Sequence, residues 1–285
     1  MTERLRRSFL YTPADDAEMM EKALGLDAAD AVIFDLEDAV PNKSLPDARA
    51  NLEDVLGERS DRGAERCVRI NGLQTTHWKD DIEAAVAAGV DTIVLPMVER
   101  PAQTERAVAA VEDASGAVPE FIVTVETPRG LFAADELAAH GGRVDAVTGF
   151  SYGIGDYARA VGTTGAPAQL HEYVSNVVVS AAAVGGLDPI STVYQDFTDD
   201  DGLRERAAQA RESGYIGQKA IHPRQLSEIN DMFTPTAEEA EEAARFIDAF
   251  DAAERDSIVV DGVFLDTAIV EQYRTILHRY EVVGS

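Results

Sequence analysis

Cysteine is almost missing from this chain: its 285 residues contain one, Cys67. No internal disulfide can form and structural zinc is disfavoured, so a reducing compartment, the cytoplasm, is the expected setting. Lysine is nearly as scarce, with only Lys22, Lys43, Lys79 and Lys219. Lys plus Arg number 25 against 52 Asp plus Glu, giving a net charge of −27. With no basic stripe to neutralise phosphates, nucleic acid is excluded as a partner. Long apolar runs are lacking too. The opening "MTERLRRSFLYTPADD" has no stretch of secretory length, and no segment approaches a membrane span. A Gly-rich phosphate turn is also absent, because the first strand runs into "YTPADDAEMM", which has no glycine.

The acids that are present do not form one tail. They are spread over helix-like stretches such as "TAEEAEEAARFIDAFDAAERD". In dilute buffer such a surface repels itself, whereas in molar salt the Debye length shrinks to ~3 Å and the repulsion fades. An intracellular protein of a salt-accumulating halophile is the expected source.

The remaining signal is rhythm. "LDAADAVIFDLED", "AAGVDTIVLPMVE", "HGGRVDAVTGFS" and "ESGYIGQKAIHP" each close a helical run on Ala or Gly and then enter a short β-branched strand. Glycine at such a point reads as a left-handed helix cap. The strands are continuously apolar, as parallel strands covered on both faces must be. They are expected at 8–11, 31–35, 68–71, 92–95, 121–125, 146–150, 192–194 and 219–221. Eight βα units in a chain of this length predict an α/β fold, a closed (β/α)8 TIM barrel over residues 1–235. A doubly wound open sheet is the alternative. Residues 236–285 depart from the rhythm. "SIVVDGVFLD" places Asp-Gly between β-prone runs, which predicts a hairpin, and a helix over 267–280 follows. Barrel closure does not need this extension, so it is expected to pack on a neighbouring subunit.

"FIVTVETPRGLF" carries Glu126 out of a buried strand and stops the strand at once. One acid there is an ordinary strand end. A barrel, however, gathers its strand ends at one mouth. That places Asp35, Glu37, Asp38, Asn71, Glu126 and Asp156 together, with Arg69 on the third strand and His222 after the eighth. Carboxylates without thiols form an oxygen-ligand set suited to Mg²⁺ or Mn²⁺. Arg69 interrupts the apolar "CVRIN", where an unpaired guanidinium would be costly. It either pairs with Glu37 or Asp38, or holds a substrate carboxylate in its planar fork. His222, followed by Pro223, either caps the next helix or joins the site.

The motifs "RRSFLYTPADD", "VIFDLEDAV", "VRING", "IVLPMVE", "VTVETPRGL", "GIGDYARAVG", "GQKAIHPRQ" and "VVDGVFLDTAIV" run through nearly the whole chain. Their order resembles the citrate lyase β-subunit-like, or malyl-CoA lyase-like, branch of the HpcH/HpaI aldolase superfamily. The resemblance implies a (β/α)8 barrel in a homotrimer or homohexamer, with the C-terminal segment reaching an adjacent subunit. It implies Glu126 and Asp156 as Mg²⁺ ligands and Arg69 as the residue that holds an oxo-acid. It further implies Glu37 and Asp38 as the pair that orders metal-bound water, and Asp266 as an acid/base offered across the subunit interface. Arg6, Arg7 and Lys22 become the expected contacts for coenzyme A. Met97 and Gly155 depart from the residues usual in the family.

The implied activity is Mg²⁺-dependent cleavage of a malyl-CoA or β-methylmalyl-CoA to glyoxylate and acetyl-CoA or propionyl-CoA. The alternatives are a citramalyl-CoA lyase, a citrate lyase β-subunit, a malyl-CoA thioesterase, and a non-catalytic subunit that binds metal or CoA.

Overall fold

Residues 4–57, 63–114, 118–253 and 255–284 of the computed structural model are described below. Eight parallel strands close into a barrel: β1 (Ser8–Pro13), β2 (Ala31–Asp35), β3 (Glu65–Arg69), β4 (Thr92–Leu95), β5 (Glu120–Val125), β6 (Val147–Tyr152), β7 (Asp188–Ser191) and β8 (Gly217–Ala220). Closure runs from β8 to β1 through the pairs Ser8↔Gln218, Phe9↔Lys219 and Leu10↔Ala220. The strands are apolar on both faces because both are covered. Phe9, Ile33, Cys67, Val94, Ile122 and Ile190 fill the interior, while Leu10, Val32, Phe34, Val68 and Ile93 face the helices. Cys67 thus serves as a small apolar filler.

The seventh strand corrects the sequence reading. It occupies Asp188–Ser191, and the expected 192–194 lies in the loop above it. "LDPIS" resembles a turn because of Asp-Pro. Yet Pro189 lies near the strand start, where a missing N–H is tolerated, and its carbonyl accepts from Ile216 N at 3.0 Å. The glycine-cap reading holds at Gly89 (φ +65) and Gly214 (φ +103) but not at Gly142 (φ −63). A Cβ on Gly142 would lie 2.1 Å from the carbonyl oxygen of Gly185. Close backbone approach is the reason for glycine there.

At the N-terminal end of the barrel one guanidinium ties three strands together. Arg6, 2% exposed, donates to Glu65 at 2.7 and 2.8 Å. It also reaches Glu120 and, at 3.5 Å, Asp188. These acids open β3, β5 and β7. Arg7 forks onto Asp30 at 2.8 Å. Both arginines, expected as contacts for coenzyme A, therefore sit at the end opposite the mouth, engaged by carboxylates. Removing one partner of a buried ion pair costs about 3–5 kcal/mol. Arg6→Met should accordingly lower the urea midpoint steeply without altering residues at the mouth. Chemical denaturation checks this, and an unchanged midpoint would rule out a stabilising role for the Arg6 cluster.

After helix Ala237–Ala253 the chain forms the hairpin β9 (Ser257–Val260) and β10 (Val263–Asp266), then helix Thr267–Gly284. The turn is Asp261-Gly262 with φ +52 and +85, as the Asp-Gly signal requires. Phe246, Ile247, Leu265 and Val270 form a core separate from that of the barrel. Val259 and Phe264 of the hairpin stand 67% and 57% exposed. Among the described residues no helix is long and apolar enough to cross a membrane.

Candidate active site

A cavity of about 420 Å³ opens at the C-terminal strand ends. Register builds its wall: Asp35 pairs with Arg69 across β2 and β3, at the last residue of each strand. Arg69 donates from Nε to Asp35 Oδ1 at 2.7 Å and from Nη2 to Oδ2 at 2.6 Å. Its Nη1 lies 3.2 Å from Glu37 and 3.3 Å from Asp38. The Tyr11 ring lies beneath the guanidinium, 4.8 Å away. Asp35 in turn accepts from the backbone N–H groups of Glu37 and Ala39, each at 3.0 Å. It is therefore the group that fixes Arg69. The sequence placed Asp35 at the mouth without giving it that role. The pairing reading of Arg69 is seen here, since it pairs with Glu37 and Asp38, and the residue also lines the cavity.

Glu37 is pushed up to about 8 by burial first and by the carboxylates Glu126, Asp38 and Asp35, with Arg69 opposing. Its carboxyl can hold a proton near neutrality. Asp38 lies at the rim, its side chain 67% exposed.

Glu126 follows β5, is 4% exposed, and accepts from Met97 N at 3.0 Å. Met97 adopts φ +55, a left-handed conformation rare for such a residue. A Cβ on Gly153 would lie 2.3 Å from Glu126 Oε1, so only glycine leaves room for this carboxylate. Burial raises the proton affinity of Glu126, Asp156 adds to it, and Lys219 and Arg69 oppose it. Asp156 stands in the first turn of helix Ile154–Val161, 2.5 Å from Arg159.

Among the described residues no three His, Cys, Asp or Glu side chains converge tightly enough to form a metal cage. Glu126 and Asp156 supply two oxygen donors at one mouth. That fits a hard cation such as Mg²⁺, which keeps waters and takes the rest of its shell from substrate.

The other sequence candidates lie elsewhere. Lys22 is on the surface, paired with Glu18 at 2.7 Å. Asp266 caps its own helix, accepting from Ile269 N at 3.0 Å, and does not line this mouth. His222 accepts from Arg224 N at 3.2 Å and stacks on Phe197 at 4.8 Å, which is the capping alternative. Lys219 was missed. It is 3% exposed at β8 and lines the cavity. The argument applied to Arg69, a cation interrupting a buried strand, would have found it in "GQKAIHP".

A second cavity, about 590 Å³, lies between helices Ala168–Gly185 and Asp200–Glu212. There Arg206 Nη1 donates to His171 Nδ1 at 2.8 Å, and Tyr152 Oη lies 3.2 Å from Nε2. A guanidinium only donates, so Nδ1 is unprotonated and the imidazole neutral. Burial, and then Arg206, bring His171 down to about 4, below its unfolded value near 6.5. The neutral ring's contribution is complete above pH 6.5 and is lost as pH falls toward 4. His171→Gln should flatten that part of the stability–pH curve in denaturant titrations.

Comparison with known proteins gives this mouth its relatives. The family model for HpcH/HpaI aldolase/citrate lyase matches residues 7–223. A (3S)-malyl-CoA thioesterase of Cereibacter sphaeroides is 38% identical, over 98% of this chain and 96% of that protein. The citrate lyase subunit beta of Escherichia coli is 30% identical, over 99% of this chain and 95% of its own. CitE of Mycobacterium tuberculosis, solved with magnesium, acetoacetate and coenzyme A, superposes with a TM-score of 0.81 at 29% identity. That superposition covers 98% of this chain and 100% of the other. With the family model spanning most of the barrel, the chain belongs to the HpcH/HpaI aldolase/citrate lyase family.

Proposed function

We propose that this chain is a Mg²⁺-dependent enzyme of malyl-type 3-hydroxyacyl-CoA thioesters, cleaving malyl-CoA or β-methylmalyl-CoA to glyoxylate and acetyl-CoA or propionyl-CoA. One observation carries this reading. Glu126 and Asp156 share a mouth with an arginine immobilised by Asp35 and flanked by Glu37, which can hold a proton. Mg²⁺, or Mn²⁺ in its place, would be held by Glu126 and Asp156 and supplies Lewis-acid polarisation and charge compensation.

The chain's own groups supply the remaining steps. Arg69 sets a fixed positive charge beside the reacting carbons, with its orientation settled before substrate arrives. Glu37, beside Arg69, would take the carbinol proton on its carboxylate as the bond between the carbinol carbon and the thioester α-carbon breaks. The bonding pair passes to the α-carbon, which is then protonated. Asp266, outside its own mouth, suits that last step if it belongs to a neighbour in a homotrimer or homohexamer. The exposed Val259 and Phe264 favour such packing.

Hydrolysis of malyl-CoA to malate and free CoA is the second reading, favoured by the 38% identical Cereibacter sphaeroides thioesterase. Product analysis on (3S)-malyl-CoA separates the two. Glyoxylate with acetyl-CoA supports the lyase, and malate with free thiol and no glyoxylate overturns it.

The acidic surface belongs to the same proposal, as a halophilic adaptation. With a net charge of −27, Tm should climb steeply from dilute buffer to molar KCl, because screening removes self-repulsion. A Tm indifferent to KCl would end that explanation.

A further inference from the structure

The mouth holds two cations of opposite character. Arg69 is committed to Asp35, Glu37 and Asp38. The side chain of Lys219, a residue 3% exposed, makes no hydrogen bond or ion pair among the described residues. Its Nζ lies 6.0 Å from the centroid of the Tyr11 ring, whose other cationic neighbour is Arg69 at 4.8 Å. A buried ammonium with three unused donors is costly unless a ligand completes it. Burial accordingly lowers its proton affinity, with Glu126 opposing from beyond contact distance. Lys219 lines the same cavity as Arg69, Glu126 and Asp156. In a malyl-type thioester the small acid part carries a carboxylate, an anion that can take up the donors of a buried ammonium.

We propose that Lys219 is a substrate-binding residue that receives the carboxylate of the small oxo-acid part of the substrate. The proposal rests on the malyl-type reading for the identity of that acid. Titration calorimetry with glyoxylate and with oxalate, on the full chain in Mg²⁺ and high salt, tests it. Lys219→Met should weaken both acids at least 30-fold. Its affinity for Mg²⁺ alone should stay equal or tighten, since a competing charge beside Glu126 is gone. Methylammonium should restore acid binding to Lys219→Ala in proportion to its concentration. A Lys219 that is only a counter-ion for Glu126 predicts the opposite pattern: acid affinity unchanged, Tm lowered and no amine rescue. That result overturns the proposal while leaving the malyl-type reading intact. Wild-type protein that binds neither acid removes that reading and this proposal with it.

Discussion

Glu126→Gln is expected to lower kcat/KM on the malyl thioester by about 10³-fold or more while the barrel stays folded, and EDTA should do the same to the wild type. The carboxylate is 4% exposed and held by Met97 N at 3.0 Å. The amide can keep that bond through its oxygen but cannot offer an anion to a cation. Asp156 alone then faces the metal, so transition-state charge goes uncompensated by about 4 kcal/mol. Mg²⁺ or Mn²⁺ should restore EDTA-treated wild type but not Glu126→Gln. Steady-state kinetics and metal titration read both effects. Full turnover in a demonstrably metal-free sample would overturn the assignment.

Arg69→Ala should abolish activity and also destabilise the protein, and the two losses can be separated. Without the guanidinium, Asp35, 2% exposed, keeps only the N–H groups of Glu37 and Ala39 for a full negative charge. That costs about 3–5 kcal/mol in urea denaturation. Adding Asp35→Asn removes the stranded charge, so the double variant should regain much of the stability. It should regain no activity, because the fixed positive charge at the mouth is still missing. If activity returned with stability, Arg69 would be structural only.

Much of the fold was legible without coordinates because its signals are local. Continuously apolar strands, the Asp-Gly turn at 261–262 and the strand-terminating Glu126 all depend on a few adjacent residues. The seventh strand was misplaced because Asp188-Pro189 has the local chemistry of a turn, and only pairing with β6 and β8 makes it a strand. Gly142 misled for a related reason. Its requirement is a close contact with Gly185, 43 positions away in sequence.

Arg6, Arg7 and Arg69 all interrupt or border apolar strands. With every strand parallel, Arg6 and Arg7, which precede β1, fall at the end opposite the mouth, and Arg69, which ends β3, falls at it. The strand-end rule applied to the acids covers these arginines as well. By itself the sequence determined the periodicity, the acidic surface, the oxygen-donor chemistry and which acids terminate strands. Tertiary structure alone decided that Asp35 locks Arg69 and that the Lys219 ammonium lines the cavity with no hydrogen bond or ion pair among the described residues. Each of these depends on distances between residues far apart in the chain, set by barrel register and packing and not by any local propensity.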